Sequence, residues 1–422
     1  MRRRNAELAM MILAGIIAVG ANLLVDFAHS SAIPKWLPAY AGLVAGAIAI
    51  TTLVTRRFAP NADPLLLPIA VALSGVGFAM IRRLDPRLAG PQLAWITLGV
   101  TVFCLTLIVI RDHRRLESFR YSLMVLGLGL LLLPLAPGVG LTINQARLWI
   151  HVGALNFQPA ELAKVVLPLF LAGYLAQKKE LLTIGTARVG PWVIPAPRHF
   201  GPLVLAWGLS LAVMVFERDL GSSVLFFGLF LAMLYIATAR ASYGVAGLAL
   251  FSGGTLFAYH SFAHVRTRVD IWLHVWSRIN DRGYQLAQSL FALGTGGLTG
   301  AGVGQGQPKL IPFASTDFIF SAIGEELGLF GAIAVLTAFG ILVARGLHIP
   351  LRARDTFSTL LAAGLTTVIG LQTFLIVGGV TRLIPLTGIT LPFVSYGGSS
   401  IVANFILLAL LLRISDGEGR AA

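Results

Sequence analysis

The feature that most limits what this chain can fold into is its series of long apolar runs. A helix crossing the hydrocarbon of a bilayer needs about 20 mostly apolar residues, with a range of about 17–25. Runs of that kind fall at about 8–27, 37–55, 65–82, 93–110, 120–137, 160–177, 201–216, 220–238, 243–260, 325–344, 357–380 and 392–412. In lipid the backbone N–H and C=O groups must be paired internally, so such runs are helices. The pair 201–216 and 220–238 reads either as two spans or as one kinked unit broken at Glu217-Arg218-Asp219. The expected fold is all-α, a single polytopic bundle of 10 to 12 membrane-spanning helices.

Composition agrees. Of 422 residues, 56% are hydrophobic and only 12% charged, and the mean hydropathy is +0.83, far from the usage of soluble domains. The formal net charge of +14 raises the question of nucleic acid. The basic residues sit at the ends of apolar runs, and no basic run exceeds Arg2-Arg3-Arg4, so no nucleic-acid partner is expected. The one cysteine, Cys104, lies inside an apolar run, which excludes disulfides and multi-cysteine metal sites. The charged N-terminus resembles a signal peptide, but the run from Leu8 to Val25 is long enough to span and no small-residue cleavage pattern follows. A retained first helix is expected.

Orientation follows from Lys and Arg bias in short connections. The segments RRFAPN (56–61), RDHRRLESFR (111–120) and RGLHIPLRAR (345–354) all fall on one side if both termini are cytoplasmic. The long polar stretch around Asp317 is then extracytoplasmic. The segment from Thr183 to Gly201, with Pro191, Pro195 and Pro197, reads as a plain cytoplasmic connection.

Five stretches carry candidate chemistry. The loop from Gly138 to Pro159 holds Arg147 and Trp149, and leads into Pro159-Ala160-Glu161-Leu162-Ala163-Lys164. Pro159 suits a first helical turn. Glu161 and Lys164 are spaced to pair across one turn, as a structural ion pair or as substrate contacts, because ionisable groups at membrane depth face a partner or a cavity. Trp149 reads as an interface anchor. Next, Glu217-Arg218-Asp219 places three charges beside an apolar run, with local pairing of Arg218 as the plain reading. From His260 to Arg282, Trp272 and Trp276 are four apart with Arg268 on the same face, a pattern for a short amphipathic helix in the headgroup layer.

The stretch from Gly283 to Gly328 is rich in Gly and polar residues. Its irregular backbone must lie at the water boundary or pack on protein around a cavity. The spacing Gly300, Gly302, Gly304 and Gly306 is no nucleotide fingerprint, lacking GK[ST] and the strand before it. Asp317 stands between Thr316 and Phe318, eight residues before Glu325-Glu326. Apolar neighbours would raise its pKa and a nearby arginine would lower it. Two readings stand on the residues alone: an N-cap for the turn starting at Phe318, and a general base for a hydroxyl nucleophile. Last, Arg382 precedes Pro385, Gly388, Pro392, Ser395 and Gly397-Gly398. That reads as a broken helix opening the final span, with small-residue packing at the glycines and a hydrogen-bonding role open for Ser395.

Four motifs in order resemble one family. They are Ala146-Arg147 with Trp149-Ile150 and Gln158-Pro159 with Glu161, Ala163 and Lys164; Asp219-Leu220-Gly221; STDFIFSAIGEELG (315–328); and LPFVSYGGSS (391–400). The chain resembles the RodA/FtsW family of shape, elongation, division and sporulation (SEDS) peptidoglycan glycosyltransferases. It departs at Ala160, where the family has serine, at Leu148, and at Glu217-Arg218, where Gln-Pro is usual. The last departure favours an elongation-type, RodA-like member. The resemblance implies one integral membrane domain: extra N-terminal helices at about 8–55, a family-like core at about 65–413, and a large extracytoplasmic loop at about 261–324.

It also implies a bacterial cytoplasmic-membrane enzyme that polymerises lipid II, the undecaprenyl-pyrophosphate-linked disaccharide peptide, with inversion. Asp317 would be the catalytic base. Arg147, Lys164, Arg218 and Arg382 would face pyrophosphate charge, helped by a divalent cation, Mg or Mn, whose ligands the sequence leaves unknown. Glu161, Asp219 and Ser395 would complete the substrate site. A class B penicillin-binding transpeptidase and membrane lipids are the expected partners. A lipid II flippase and a non-catalytic scaffold of the wall machinery remain open alternatives.

Overall fold

The computed structural model describes residues 2–28, 34–143, 146–152, 155–183, 187–189, 192–194, 208 and 219–419. Among these the helices are α1 (Arg2–Phe27), α2 (Leu37–Phe58), α3 (Leu66–Leu84), α4 (Ala89–Val109), α5 (Arg120–Leu132) and α6 (Pro159–Thr183). There follow α7 (Leu220–Thr238), α8 (Ala241–Ser261), α9 (Ala263–Leu273), α10 (Tyr284–Gly296), α11 (Ile319–His348), α12 (Thr356–Val380) and α13 (Gly398–Gly419). Eleven helical segments among the described residues are long and apolar enough to span a membrane. The protein is an integral membrane protein of the expected all-α class. The expected span at 201–216 lies outside the described residues, Gly208 apart.

Two compact units divide the chain. The first comprises residues 1–111, 270–346 and 372–422; the second comprises residues 112–269 and 347–371.

In the first unit α13 is the core. Of its spanning stretch, 89% is buried, and it packs along α4 while α1 packs along α3. At the start of α13 a Cβ on Gly398 would run into the indole of Trp95 on α4. Glycine here lets helix and ring meet face to face, the small-residue packing that replaces hydrophobic drive inside lipid. At one end of the unit Arg413 on α13 donates to the carbonyls of Phe58, Leu107 and Ile110, at the C-terminal ends of α2 and α4. The last carbonyls of a helix have no partner inside it, so one buried guanidinium satisfies two helix ends. Asp416 accepts from the Asn61 amide, and Arg345 pairs with Asp63. Near the C-terminal end of α3, Arg82 bonds Asn22 and Asp26 of α1 and stacks 4.3 Å over Trp36.

In the second unit α6 carries much of the packing, with 83% of its spanning stretch buried, whereas α8 has only 6%. α6 packs against α5 and α7. The segment between α5 and α6, read from sequence as a loop, is a three-stranded antiparallel sheet of β1 (Gly140–Ile143), β2 (Ala146–Val152) and β3 (Leu155–Phe157). A second hairpin pairs β4 (Ala187–Val189) with β5 (Trp192–Ile194) in the segment expected to be a plain connection. Such short strands carry almost no periodic signal, and pairing is what stabilises them. Asp355 accepts from the amide and hydroxyl of Ser358 and so caps α12. Arg114 lies 3.0 Å from Asp355, and the His113 ring lies 2.6 Å from the Ser358 hydroxyl.

Several boundaries differ from the sequence reading. α11 begins at Ile319, not near 325, and α13 begins at Gly398, not 392. Hydrophobic windows average over the helix entrance, so they misplace it where glycine, proline and polar residues cluster. The stretch 283–328 is not irregular throughout, since its first part is α10. The amphipathic helix is α9, but it stops at Leu273. Trp276 falls in a separate short 3-10 turn, so the one face expected for Trp272 and Trp276 is broken by a change of backbone.

Candidate functional site

Asp317 lies in the first unit, on the excursion between α10 and α11. The first half of that excursion is glycine-rich and docks on the opening turns of α11. Gly328 has φ +67 inside α11, outside the helical region, which interrupts the helix. Loop amides take up carbonyls there: Ala301 N–H donates to Glu325 O at 2.9 Å and Gly302 N–H to Glu326 O at 3.1 Å. In return Leu329 N–H donates to Gly297 O at 2.9 Å. Gly300, Gly302 and Gly304 all have positive φ, and a Cβ on Gly300 would strike the Glu326 carbonyl. The glycine spacing thus serves close backbone approach. The paired acids complete the dock. Glu326 Oε2 accepts the Gly304 amide at 3.0 Å, and Glu325 Oε1 accepts the Gln307 amide at 2.7 Å.

The second half is the turn that carries Asp317. Phe313 has φ +59, and the Thr316 amide closes on Phe313 O at 3.1 Å. A second segment braces this turn. Ser395 Oγ donates to Thr316 O at 2.6 Å and accepts from the Leu391 amide at 2.9 Å. The Tyr396 amide donates to Ser315 O at 2.8 Å. Phe318 is fully buried, which anchors the far side, while Asp317 is half-buried. Burial pushes the Tyr396 phenol above its ordinary range. A half-buried carboxylate on a turn fixed at both flanks is placed to take a proton from a hydroxyl brought to it.

Arg382 is also in the first unit. It has φ +62, and its guanidinium donates to the carbonyls of Trp272 and Leu273 at 2.8 and 2.9 Å. The Trp272 indole N–H donates back to Arg382 O at 3.0 Å. The reciprocal pair ties the C-terminal end of α9 to the segment after α12.

The other expected residues belong to the second unit. Glu161 and Lys164 form the expected i, i+3 ion pair on the first turns of α6, and both are buried. Arg147 on β2 donates to Ala136 O at 3.0 Å, holding the sheet to the turn before it. Asp219 caps α7, accepting from the amide and hydroxyl of Ser222 at 3.0 and 2.6 Å. Arg218 and Glu217 lie outside the described residues. The structure therefore brings Ser395 against the main chain of Thr316, next to Asp317, with Arg382 in the same unit.

Sequence reading missed Tyr396 as a brace and Arg83 as a partner of the glycine loop. Tyr396 acts through its main chain, which leaves no side-chain signal. Arg83 stood in view as half of a basic pair ending an apolar run, with nothing to say which groups it would meet. Among the described residues no three His, Cys, Asp or Glu side chains gather in a metal-binding group.

Comparison with known proteins gives consistent results. The family model FtsW/RodA/SpoVE, described as cell cycle protein, matches residues 66–419. The chain is 44% identical to the peptidoglycan glycosyltransferase RodA of Mycobacterium tuberculosis, over 99% of this chain and 92% of that protein. It is 34% identical to the stage V sporulation protein E of Bacillus subtilis, over 86% and 99%. Among solved structures it resembles a chain described under the structural coordination of polymerization and crosslinking by a peptidoglycan synthase complex. That match has a TM-score of 0.70 and 28% identity, over 85% of this chain and 98% of that one. It also resembles the rod shape determining protein RodA of Thermus thermophilus, with a TM-score of 0.60 and 26% identity, over 84% and 96%.

Proposed function

The chain belongs to the FtsW/RodA/SpoVE family and is a peptidoglycan glycosyltransferase, and from that premise we propose a RodA-like enzyme that polymerises lipid II during cell elongation. The observation that carries the chemistry is the braced turn of Asp317. A sugar hydroxyl is a weak nucleophile, and a positioned carboxylate removes its proton as the new bond forms. The acceptor hydroxyl oxygen bonds to the anomeric carbon of the donor. The bond from that carbon to the pyrophosphate breaks, and undecaprenyl pyrophosphate leaves with the electron pair. The proton passes to the Asp317 carboxylate. Attack opposite the leaving group inverts the anomeric centre.

The buried pair Glu161–Lys164 supplies a cation for pyrophosphate charge, held in register by its acid. Arg147, Arg218, Asp219 and Arg382 are the further contacts proposed. A divalent cation, Mg or Mn, would neutralise pyrophosphate charge when bound. A class B penicillin-binding transpeptidase is the proposed partner. Both termini are proposed on the cytoplasmic side, with the Asp317 loop on the other.

The test is polymerisation of labelled lipid II by the purified chain, with and without the transpeptidase. Asp317→Asn keeps size and hydrogen bonding, and is expected to abolish polymer while leaving thermal unfolding unchanged. Polymer from both would move the base elsewhere. Lipid II transport in vesicles without polymer from the parent protein would support a flippase instead.

A further inference from the structure

Arg83 stands near the C-terminal end of α3, far in sequence from the reaction, yet its guanidinium reaches the loop that leads to Asp317. It donates to Gly304 O at 2.8 Å and Gly306 O at 3.1 Å. Its Nε lies 3.1 Å from Glu326 Oε1. The Glu326 side chain is fully buried and that of Arg83 is 9% exposed. Glu326 in turn accepts the Gly304 amide through its other oxygen. One peptide region is therefore gripped on both its donor and its acceptor groups by an ion pair from two separate helices. Arg82, the preceding residue, fixes this end of α3 to Asn22 and Asp26 of α1, so the grip has a rigid base.

We infer that Arg83 and Glu326 are positioning residues for the transfer reaction: their ion pair clamps the glycine-rich loop on α11 and so sets the place of the Asp317 turn. The inference rests on Asp317 as the base. Glycine-rich backbone has many accessible conformations, and this stretch has few side chains to pack. Its order must come from backbone bonds, and the Arg83–Glu326 pair closes three of them around Gly304 and Gly306. Glu325 adds the bond to Gln307 on the same side. Between Gln307 and Asp317 only nine residues intervene, and they include the short 3-10 turn Pro308–Leu310. A loop released at Gly304 would carry its looseness into the turn. The two acids following the Asp317 turn thus support the base structurally rather than replace it.

The test uses the full chain in detergent with labelled lipid II. Three variants are compared: Arg83→Lys, Arg83→Gln, and Arg83→Gln with Glu326→Gln, the last removing both charges so that none is left buried alone. The double variant is expected to lower kcat by about 10–100-fold with KM for lipid II within about twofold, the signature of lost orientation rather than lost binding. Hydrogen exchange should quicken in residues 297–318 and stay unchanged in α4 and α13. Arg83→Lys, which keeps the ion pair but loses the fork, should fall between parent and double variant in both readouts. Parent-like kcat in the double variant would overturn the inference. So would exchange that rises equally across all helices, because that marks a general loss of stability. Asp317→Asn, run alongside, separates the two readings. If it is inactive and exchanges normally, the base stands. If it polymerises, the base reading fails, while the exchange data still decide whether the clamp exists.

Discussion

Ser395 braces the Asp317 turn through one hydroxyl that both donates to Thr316 O and accepts from the Leu391 amide. Replacing it by alanine leaves two main-chain groups short of a partner in a site where Ser395 is only 2% exposed. Leaving buried polar groups unpaired costs about 1–3 kcal/mol, so Ser395→Ala should lower stability in that range, read by thermal unfolding in detergent. It should lower the polymerisation rate further than stability alone accounts for, because Thr316 adjoins the proposed base. Asp355 gives a pH-dependent case. Burial works against its charge, but the Ser358 amide and hydroxyl, Arg114 and His113 outweigh it and hold the carboxyl below the usual range. Stability from a depressed carboxyl is present above the unfolded value, about 3.9, and is lost as pH falls through the folded one. Asp355→Asn should therefore be less stable than the parent at pH 6, with the gap closing below about pH 4. A gap that is constant with pH would show that the charge plays no part.

At the scale of elements, the interruption of α11 is what docks the glycine-rich loop. An unbroken helix would keep the Glu325 and Glu326 carbonyls for its own amides. The left-handed turn at Gly328 releases them to Ala301 and Gly302. Gly328→Ala meets two costs, a positive φ and a clash with Gly300 N and Leu298 O. Strained backbone of this kind costs on the order of 1–3 kcal/mol, and the clash adds to it. The variant should unfold at lower temperature and lose polymerisation, whereas Gly340→Ala, where nothing lies near the new methyl, should match the parent in both. The apolar runs of α11 and α13 were plain in the sequence, but their entrances were not. Hydropathy reports burial in lipid averaged over a window, and helix entrances are decided by local bonds such as Phe318 N–H to Phe313 O.

For the whole molecule, the bilayer is the solvent that selects the fold. Charges accumulate where helices end, and many of them close on one another or on helix termini, as Arg413 does on the carbonyls of α2 and α4. Arg413→Met should be among the more destabilising single changes in the chain. It orphans several carbonyls and leaves Asp416, 1% exposed, without the guanidinium 3.6 Å away. Breaking a buried pair costs about 3–5 kcal/mol, seen as a large fall in unfolding temperature. The proposed sidedness is tested by single-cysteine labelling in a Cys104→Ser background. Gln305→Cys should react with an impermeant reagent from the extracytoplasmic side, and Ala421→Cys should not. Reversed labelling would overturn the orientation.

The sequence by itself determined the class of molecule, because twenty apolar residues in lipid have one low-energy backbone. It also carried the family, through Ser315-Thr316-Asp317-Phe318, the Glu161–Lys164 spacing and the small residues at Gly397-Gly398. Only the tertiary structure decided how the site is held. Apart from the Arg83–Glu326 ion pair and the nearby Leu391 amide, the partners of Glu325, Glu326, Arg83 and Ser395 are backbone groups of other segments of the chain. Hydrogen bonds to peptide N–H and C=O groups depend on where the chain passes, not on which residue passes there. Every residue except proline offers the same donor and acceptor, so no motif can announce them.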